Sequence, residues 1–157
     1  MALKIGDKAP EFTLLDSTKK ERSLKEFSGK KLLIAFFPGV FTGVCTKEMC
    51  NFRDSLSNFE NAKLQVVGIS VDPHYALKGF ADANKLNFPL MSDYTRKVSE
   101  QYCGVYNDFA GMPGFSASKR AVFILDAQGV VRYAWVSDAP GVEPPYAEVN
   151  KAAQAIH

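Results

Sequence analysis

Two kinds of apolar pattern alternate along this chain. Continuous runs such as Lys31 to Phe37 (KLLIAFF) and Leu64 to Val71 (LQVVGISV) are rich in branched and aromatic residues, which predicts strands buried on both faces. Between them, from about Gly43 to Asn61, the residues Met49, Phe52, Leu56 and Phe59 recur at spacings of three and four, the period of a helix. Pro73 opens a second helix running to about Asn84, since proline suits a first helical turn. Phe88 to Met91 then predicts a short strand and Tyr94 to Tyr102 a helix. A loop rich in Gly, Pro and Ser (104–118) leads to two further apolar runs, Arg120 to Asp126 and Val130 to Val136. The Gln128-Gly129 turn between them makes an antiparallel hairpin. Upstream of the core, residues 11–16 and 20–22 flank the polar turn Ser17-Thr18-Lys19 as a smaller hairpin. Ser23 to Phe27 forms a helical turn closed by Gly29, and a helix from Tyr146 to Ile156 ends the chain.

Strand–helix–strand–helix followed by a hairpin and a last helix describes an α/β protein. Its expected form is a mixed central sheet flanked by helices, with an N-terminal hairpin extension, on a thioredoxin-like plan. At 157 residues the chain fits one domain, 1–157, large enough to bury a core without disulfide staples. Hydrophobic residues make up 46% and charged residues 23%, the balance of a globular chain. The formal charge is +2 with no basic block, which gives no footprint for nucleic acid. No apolar run approaches the ~20 residues of a membrane helix. The start, Met-Ala-Leu-Lys-Ile-Gly-Asp-Lys-Ala-Pro, lacks the apolar stretch of a signal peptide, so a cytoplasmic location is expected.

Three cysteines, Cys45, Cys50 and Cys103, are too few and too odd in number for a secreted disulfide framework. In a reducing compartment they are either buried packing residues or chemistry. Position separates these options for Cys45. The strand ending at Pro38-Gly39 delivers Val40 to Cys45 to the carboxyl edge of the sheet, where ligands bind in open α/β sheets. Cys45 then lies in the first helical turn, where unpaired N–H groups and the positive end of the helix dipole favour a thiolate. Thr42, three residues earlier, stands where an N-cap residue stands, with a hydroxyl able to bond backbone or sulfur. A capped helix with an incidental cysteine one turn in is the alternative.

The run Pro38-x-x-x-Thr42-x-x-Cys45 resembles the PxxxTxxC signature of the peroxiredoxins of the AhpC/TSA superfamily, thiol peroxidases on a thioredoxin fold. Lys8-Ala-Pro-Glu-Phe resembles the amino-terminal APxF segment of that family, Val67 to Asp72 its next core strand, and Arg120 the arginine set beside its reactive cysteine. The likeness covers nearly the whole chain. Phe-Thr-Gly-Val-Cys-Thr-Lys-Glu and the short length look most like the bacterioferritin-comigratory-protein group and its one-cysteine relatives. The resemblance implies that Cys45 attacks a hydroperoxide and becomes a sulfenic acid, the reversible first step of thiol oxidation. It implies that Thr42 orients the peroxide, that Arg120 stabilises the thiolate and the developing oxyanion, and that Pro38, which has no N–H, shapes the loop and shields the sulfur. Glu48, one turn after Cys45, is either a partner for Arg120 or a first-turn glutamate favoured by the helix dipole.

A second thiol must resolve the sulfenic acid. Cys45 and Cys50 have the C-x4-C spacing that one peroxiredoxin subgroup joins in an intramolecular disulfide. On an intact helix five residues separate Cα atoms by about 8.6 Å, whereas a disulfide spans at most about 7 Å, so the helix would have to unwind locally. Cys103 is a competing resolver, and direct attack by an external thiol is the third option. The partners implied are a hydroperoxide and a thioredoxin-like or other dithiol reductant. The family contains both monomers and homodimers that meet through the loops around the site, where Val40 and Phe41 line either a pocket or such a contact. No cofactor or metal is implied: structural zinc wants four ligands at close spacing, and neither His74 nor His157 has such a spacing to the cysteines. The competing functions are a thioredoxin-fold thiol-disulfide oxidoreductase, which the absence of Cys-x-x-Cys counts against, and a redox-sensing or holdase module without enzymatic activity.

Overall fold

Side-chain alternation along the central strands divides the core in two. The computed structural model describes residues 2–156. Strand β3 (Lys31–Phe36) lies inside the sheet, with a neighbour on each side; the layers around it are set by which of its residues point each way. Leu33, Ala35 and, just beyond it, Phe37 enter one apolar cluster, while Leu32, Ile34 and Phe36 enter the other, as the two-residue period of a strand requires.

The sheet has seven strands in the order β2-β1-β5-β4-β3-β8-β9. The outer hairpin is β1 (Thr13–Asp16) with β2 (Glu21–Ser23), and β1 pairs antiparallel with β5 (Leu90–Ser92). Strands β5, β4 (Leu64–Ser70) and β3 run parallel. Strand β8 (Arg120–Leu125) is antiparallel to β3, pairing Ile34 with Phe123, and β9 (Val131–Ser137) closes the far edge. This is the mixed sheet with an N-terminal hairpin that the pattern predicts. Asp16 explains the first turn: its Oδ1 accepts the N–H groups of Thr18 and Lys20 at 2.8 and 3.0 Å. Asp126 does the same for the β8–β9 turn, accepting from Gln128 and Val130 at 2.9 and 3.0 Å, while Gly129 takes the left-handed conformation (φ 78°) that the turn needs.

One face of the sheet is covered by α1 (Gly43–Asp54), α2 (Leu56–Asn61), α3 (His74–Asn84) and α5 (Tyr146–Ala155), through Met49 and Phe52, Phe59, Leu77 and Phe80, and Val149 and Ala153. The other face is covered by the N-terminal segment, a 3₁₀ turn at Leu24–Phe27 and α4 (Lys97–Tyr102), through Phe12, Phe27, Val98 and Tyr102. The buried Tyr102 hydroxyl is satisfied by the Pro10 carbonyl at 2.6 Å.

Three departures from the predicted elements have local causes. The single helix expected over 43–61 is two helices, because Ser55 leaves helical geometry (φ −94°, ψ 1°) and ends one and starts the next. Helix α4 begins at Lys97 rather than Tyr94: Arg96 is left-handed (φ 67°), and the Asp93 carboxylate accepts the N–H groups of Val98 and Ser99 at 3.2 and 2.6 Å. The loop over 104–118 contains a two-stranded ladder, β6 (Val105–Tyr106) with β7 (Ala117–Ser118), and a 3₁₀ turn at Phe109–Gly111. No described helix is long and apolar enough to cross a membrane.

Candidate active site

The site forms where β3 stops pairing. Phe37 still donates its N–H to Ile69 at 2.9 Å, but Pro38 has no N–H to offer and ends the ladder. The chain then turns sharply: Phe41 is left-handed (φ 60°), a conformation unusual for a bulky residue. Its ring is 62% exposed, set edge-on to Phe80 with centroids 5.4 Å apart. The Val40 N–H donates to Asp72 Oδ2 at 3.0 Å. Pro38 and Gly39 are buried beneath this loop.

Thr42 is the N-cap of α1 by its backbone (φ −86°, ψ 151°), and its carbonyl accepts both the N–H and the hydroxyl of Thr46, at 2.9 and 2.7 Å. Its own hydroxyl does not cap the helix. It donates to the Gly39 carbonyl at 2.8 Å, across the loop it belongs to. The oxygen's lone pairs therefore stay free to accept, while its proton is committed. Cys45, the third residue of α1, is fully buried among the apolar side chains of the α1 face.

Arg120, the first residue of β8, is the charge opposite. It is one of the largest fully buried side chains in the protein, 2% exposed. Nη1 donates to Glu48 Oε1 at 2.8 Å, and Nε and Nη2 donate to the Pro140 carbonyl at 3.2 and 2.7 Å. Burial works against its charge, but electrostatic interaction with Cys45 and Glu48, and the hydrogen bond to Glu48, hold the guanidinium above the ordinary arginine value. Arg120 is thus the group that brings Cys45 and Glu48 into one electrostatic unit. Of the two alternatives for Glu48, the structure shows the Arg120 pair.

Glu48 is buried completely, and its Oε2 has no hydrogen-bond partner. Burial pushes its carboxyl up to about 8, against the pull of Arg120 and with a further upward push from the Glu143 charge. Tyr146 stands alongside, donating to Glu143 Oε1 at 2.8 Å. Burial, that bond and the Glu48 charge all raise its phenol.

The other two cysteines are not placed alike. Cys50 lies half-buried further along the unbroken helix α1, with its sulfur 3.7 Å from Asn84 Oδ1 at the end of α3. Cys103 sits on the opposite face of the sheet from Cys45, in the second apolar cluster. Its sulfur faces the Gly104 carbonyl, the Ser118 hydroxyl and the Lys119 carbonyl at 3.5, 3.6 and 3.8 Å, and burial pushes its thiol up to about 12. The structure therefore brings Pro38, Thr42, Cys45 and Arg120 to one place, leaves Cys50 nearby, and separates Cys103. Among the described residues, no cluster of three or more His, Cys, Asp or Glu is placed to hold a metal ion.

Several participants carry no sequence signal of their own. Pro140 contributes a main-chain carbonyl, Glu143 sits in a Gly- and Pro-rich segment, and Tyr106, whose hydroxyl accepts the Arg120 main-chain N–H at 3.2 Å and donates to the Ser137 carbonyl at 2.6 Å, lies in β6, where the sequence predicts only a loop.

Comparison with known proteins agrees with this geometry. The AhpC/TSA family model matches residues 5–134. Peroxiredoxin Bcp of Escherichia coli K12 is 36% identical over 132 residues, covering 83% of this chain and 84% of its own. Chloroplastic peroxiredoxin Q of Triticum aestivum is 40% identical over 129 residues, covering 82% of this chain and 57% of its own. The crystal structure of peroxidoxin BcpB from Mycobacterium tuberculosis superposes with a TM-score of 0.85 at 29% identity, covering 99% of each chain. These likenesses set aside the oxidoreductase and holdase alternatives. By sequence over most of its length, and by fold over nearly all of it, the chain belongs to the AhpC/TSA family: it is a peroxiredoxin, a thiol-dependent peroxidase that draws on a peroxide and a thiol reductant.

Proposed function

We propose that Cys45 is the peroxidatic thiol and that Thr42, Arg120 and Pro38 serve it. The Cys45 thiolate attacks the nearer oxygen of a hydroperoxide. A sulfur–oxygen bond forms, the O–O bond breaks, and the departing hydroxide or alkoxide takes up a proton and leaves as water or alcohol. The cysteine is left as sulfenic acid. The observation that carries this reading is the buried Arg120 guanidinium, held by Glu48 and Pro140 and electrostatically coupled to Cys45. A fixed cation in a water-poor site stabilises both the thiolate and the oxyanion without reorganising during reaction. Thr42 supports the same reading, because its proton is already donated and only its lone pairs face the peroxide's hydrogen. Since Cys45 has no exposed surface, the loop over 38–42 must part to admit substrate.

Cys50 is the proposed resolving thiol. It attacks the sulfenic sulfur, forms the Cys45–Cys50 disulfide and releases water; a thioredoxin-like dithiol then takes the oxidation in exchange. Helix α1 is continuous between the two, so closure of the bond requires its first turns to unwind. Burial and a raised thiol argue against Cys103 in that role. Phe41, Met112 and Val142, 62%, 48% and 50% exposed on loops beside the site, support a homodimer through that rim. Three free thiols fit the reducing cytoplasm.

The test is stopped-flow oxidation by hydrogen peroxide and several organic hydroperoxides, comparing the parent with Cys45→Ser, Cys50→Ser and Cys103→Ser. Cys45→Ser should abolish reaction, Cys50→Ser should oxidise once without closing a disulfide, and Cys103→Ser should match the parent. Peroxide consumption by Cys45→Ser refutes the assignment.

A further inference from the structure

The loop that carries Pro38 and Thr42 to Cys45 is gripped from outside by a residue that touches none of them. Asp72 lies two positions beyond the end of β4. Its Oδ2 accepts the Val40 N–H at 3.0 Å and the Ser70 hydroxyl at 2.7 Å. Its own N–H donates to Ser70 Oγ at 3.2 Å, and its carbonyl accepts the Ser92 hydroxyl at 2.6 Å. Ser70 ends β4 and Ser92 ends β5, and both are buried, at 0% and 1% exposure. Asp72 is therefore anchored to two parallel core strands, and through one oxygen it pins the midpoint of the loop. That midpoint matters because the Thr42 hydroxyl is itself fixed on the Gly39 carbonyl, one residue from Val40. A shift at Val40 moves the carbonyl that orients Thr42.

We propose that Asp72 is a positioning residue for the peroxide reaction, holding Val40 so that Thr42 presents its lone pairs to the substrate at Cys45. This rests on Cys45 being the peroxidatic thiol. Asp72 acts through geometry rather than charge. Both bonds fall on a single oxygen, so an asparagine with its carbonyl in that place reproduces them, and alanine does not.

The experiment measures two rates on the same reduced protein at one pH: oxidation of Cys45 by hydrogen peroxide, and its alkylation by iodoacetamide, which needs the thiolate but no oriented peroxide. Asp72→Ala should lower the peroxide rate about tenfold or more while alkylation stays within about threefold, since small misplacements of orienting groups cost large factors. Asp72→Asn should keep both rates near those of the parent. The proposal is overturned if Asp72→Ala oxidises within about twofold of the parent, if alkylation falls with oxidation, or if asparagine fails to rescue. Cys45→Ser separates the two levels. A silent Cys45→Ser beside an unimpaired Asp72→Ala removes only the role of Asp72, whereas an active Cys45→Ser removes both. Should the alanine variant not fold, amide exchange in the unaltered protein decides: the Val40 amide should exchange about tenfold more slowly than that of exposed Gly43 at the open helix start, after correction for intrinsic rates. Fast exchange at Val40 overturns the proposal.

Discussion

Glu48→Gln should flatten the dependence of stability on pH. In the folded protein the Glu48 carboxyl is pushed from an ordinary 4.5 up to about 8, chiefly by burial. Between those two values the folded state binds a proton that the unfolded chain has lost, so stability falls as pH rises through that window and is fully present below it. The displacement is about 3.5 units, and at about 1.4 kcal/mol per unit the loss across the window is at most about 5 kcal/mol. Glutamine keeps an acceptor for Arg120 Nη1, now at 2.8 Å from Glu48 Oε1, and does not titrate. The assay is urea unfolding from pH 5 to 8 in a Cys45→Ser background, which removes the titration and oxidation of the thiol itself. Groups common to both proteins cancel in the comparison. The curve of the glutamate protein should fall away from that of the glutamine protein as pH rises. A divergence below about 1 kcal/mol between pH 5 and 8 would show that Glu48 stays ionised throughout, and would refute the reasoning.

Four other outcomes are expected. After one equivalent of peroxide, non-reducing peptide mapping should find Cys45 joined to Cys50, and amides at the start of α1 should lose exchange protection; a lasting free Cys50 thiol counts against the assignment. Arg120→Lys keeps the charge but not the three-pronged grip on Glu48 and Pro140, and should slow oxidation about a hundredfold by stopped flow; a rate near the parent's would show that charge alone suffices. Gly68→Ala puts a methyl group 2.6 Å from Leu90 Cδ2 and 3.4 Å from both Met49 Sδ and Phe37 Cε1. Leu90 is fully buried and must shift to admit it, so denaturant titration should read a loss of about 1–3 kcal/mol, and a neutral result would mean the core yields. Cys103→Ser should leave peroxide turnover intact, measured as peroxide consumed per cycle with a dithiol reductant; a stalled cycle would restore Cys103 as resolver.

What the sequence showed well is what depends on local chemistry. Pro38 had to end β3, since it cannot donate to the ladder, and the helical spacing after it had to put Cys45 in a first turn. The two hairpins were visible because their turns carry Ser17-Thr18-Lys19 and Gln128-Gly129, while the carboxylates that fasten them, Asp16 and Asp126, emerged only in the structure. Arg120 was different. Alone it opens an apolar strand like any charged edge residue, and only the family resemblance placed it beside Cys45. Pro140 could not be seen at all, because its contribution is a carbonyl that every residue has. Asp72 looked like a polar residue closing a strand; its contact with Val40 spans 32 positions and follows from the parallel order of β3, β4 and β5. The break at Ser55 was hidden for a further reason: Phe52, Leu56 and Phe59 keep their helical spacing across it, so the apolar period continues where the backbone does not.

That break bears on how far any rearrangement of the oxidised protein can spread. Phe59 in α2 stays buried against the sheet, and Asn58 in the same segment accepts a bond from Gln154 of α5 at 3.4 Å. With the backbone already out of helical geometry at Ser55, melting that starts at Cys45 meets a boundary after about three turns. Downstream, the chain keeps anchors outside α1, in the bond from Gln154 and the apolar cluster on the sheet face, and Phe59 also packs on Phe52 at the end of α1. If the Cys45–Cys50 disulfide closes as proposed, each cycle disassembles and rebuilds one short rod, with the scaffold beyond Ser55 as the template for refolding.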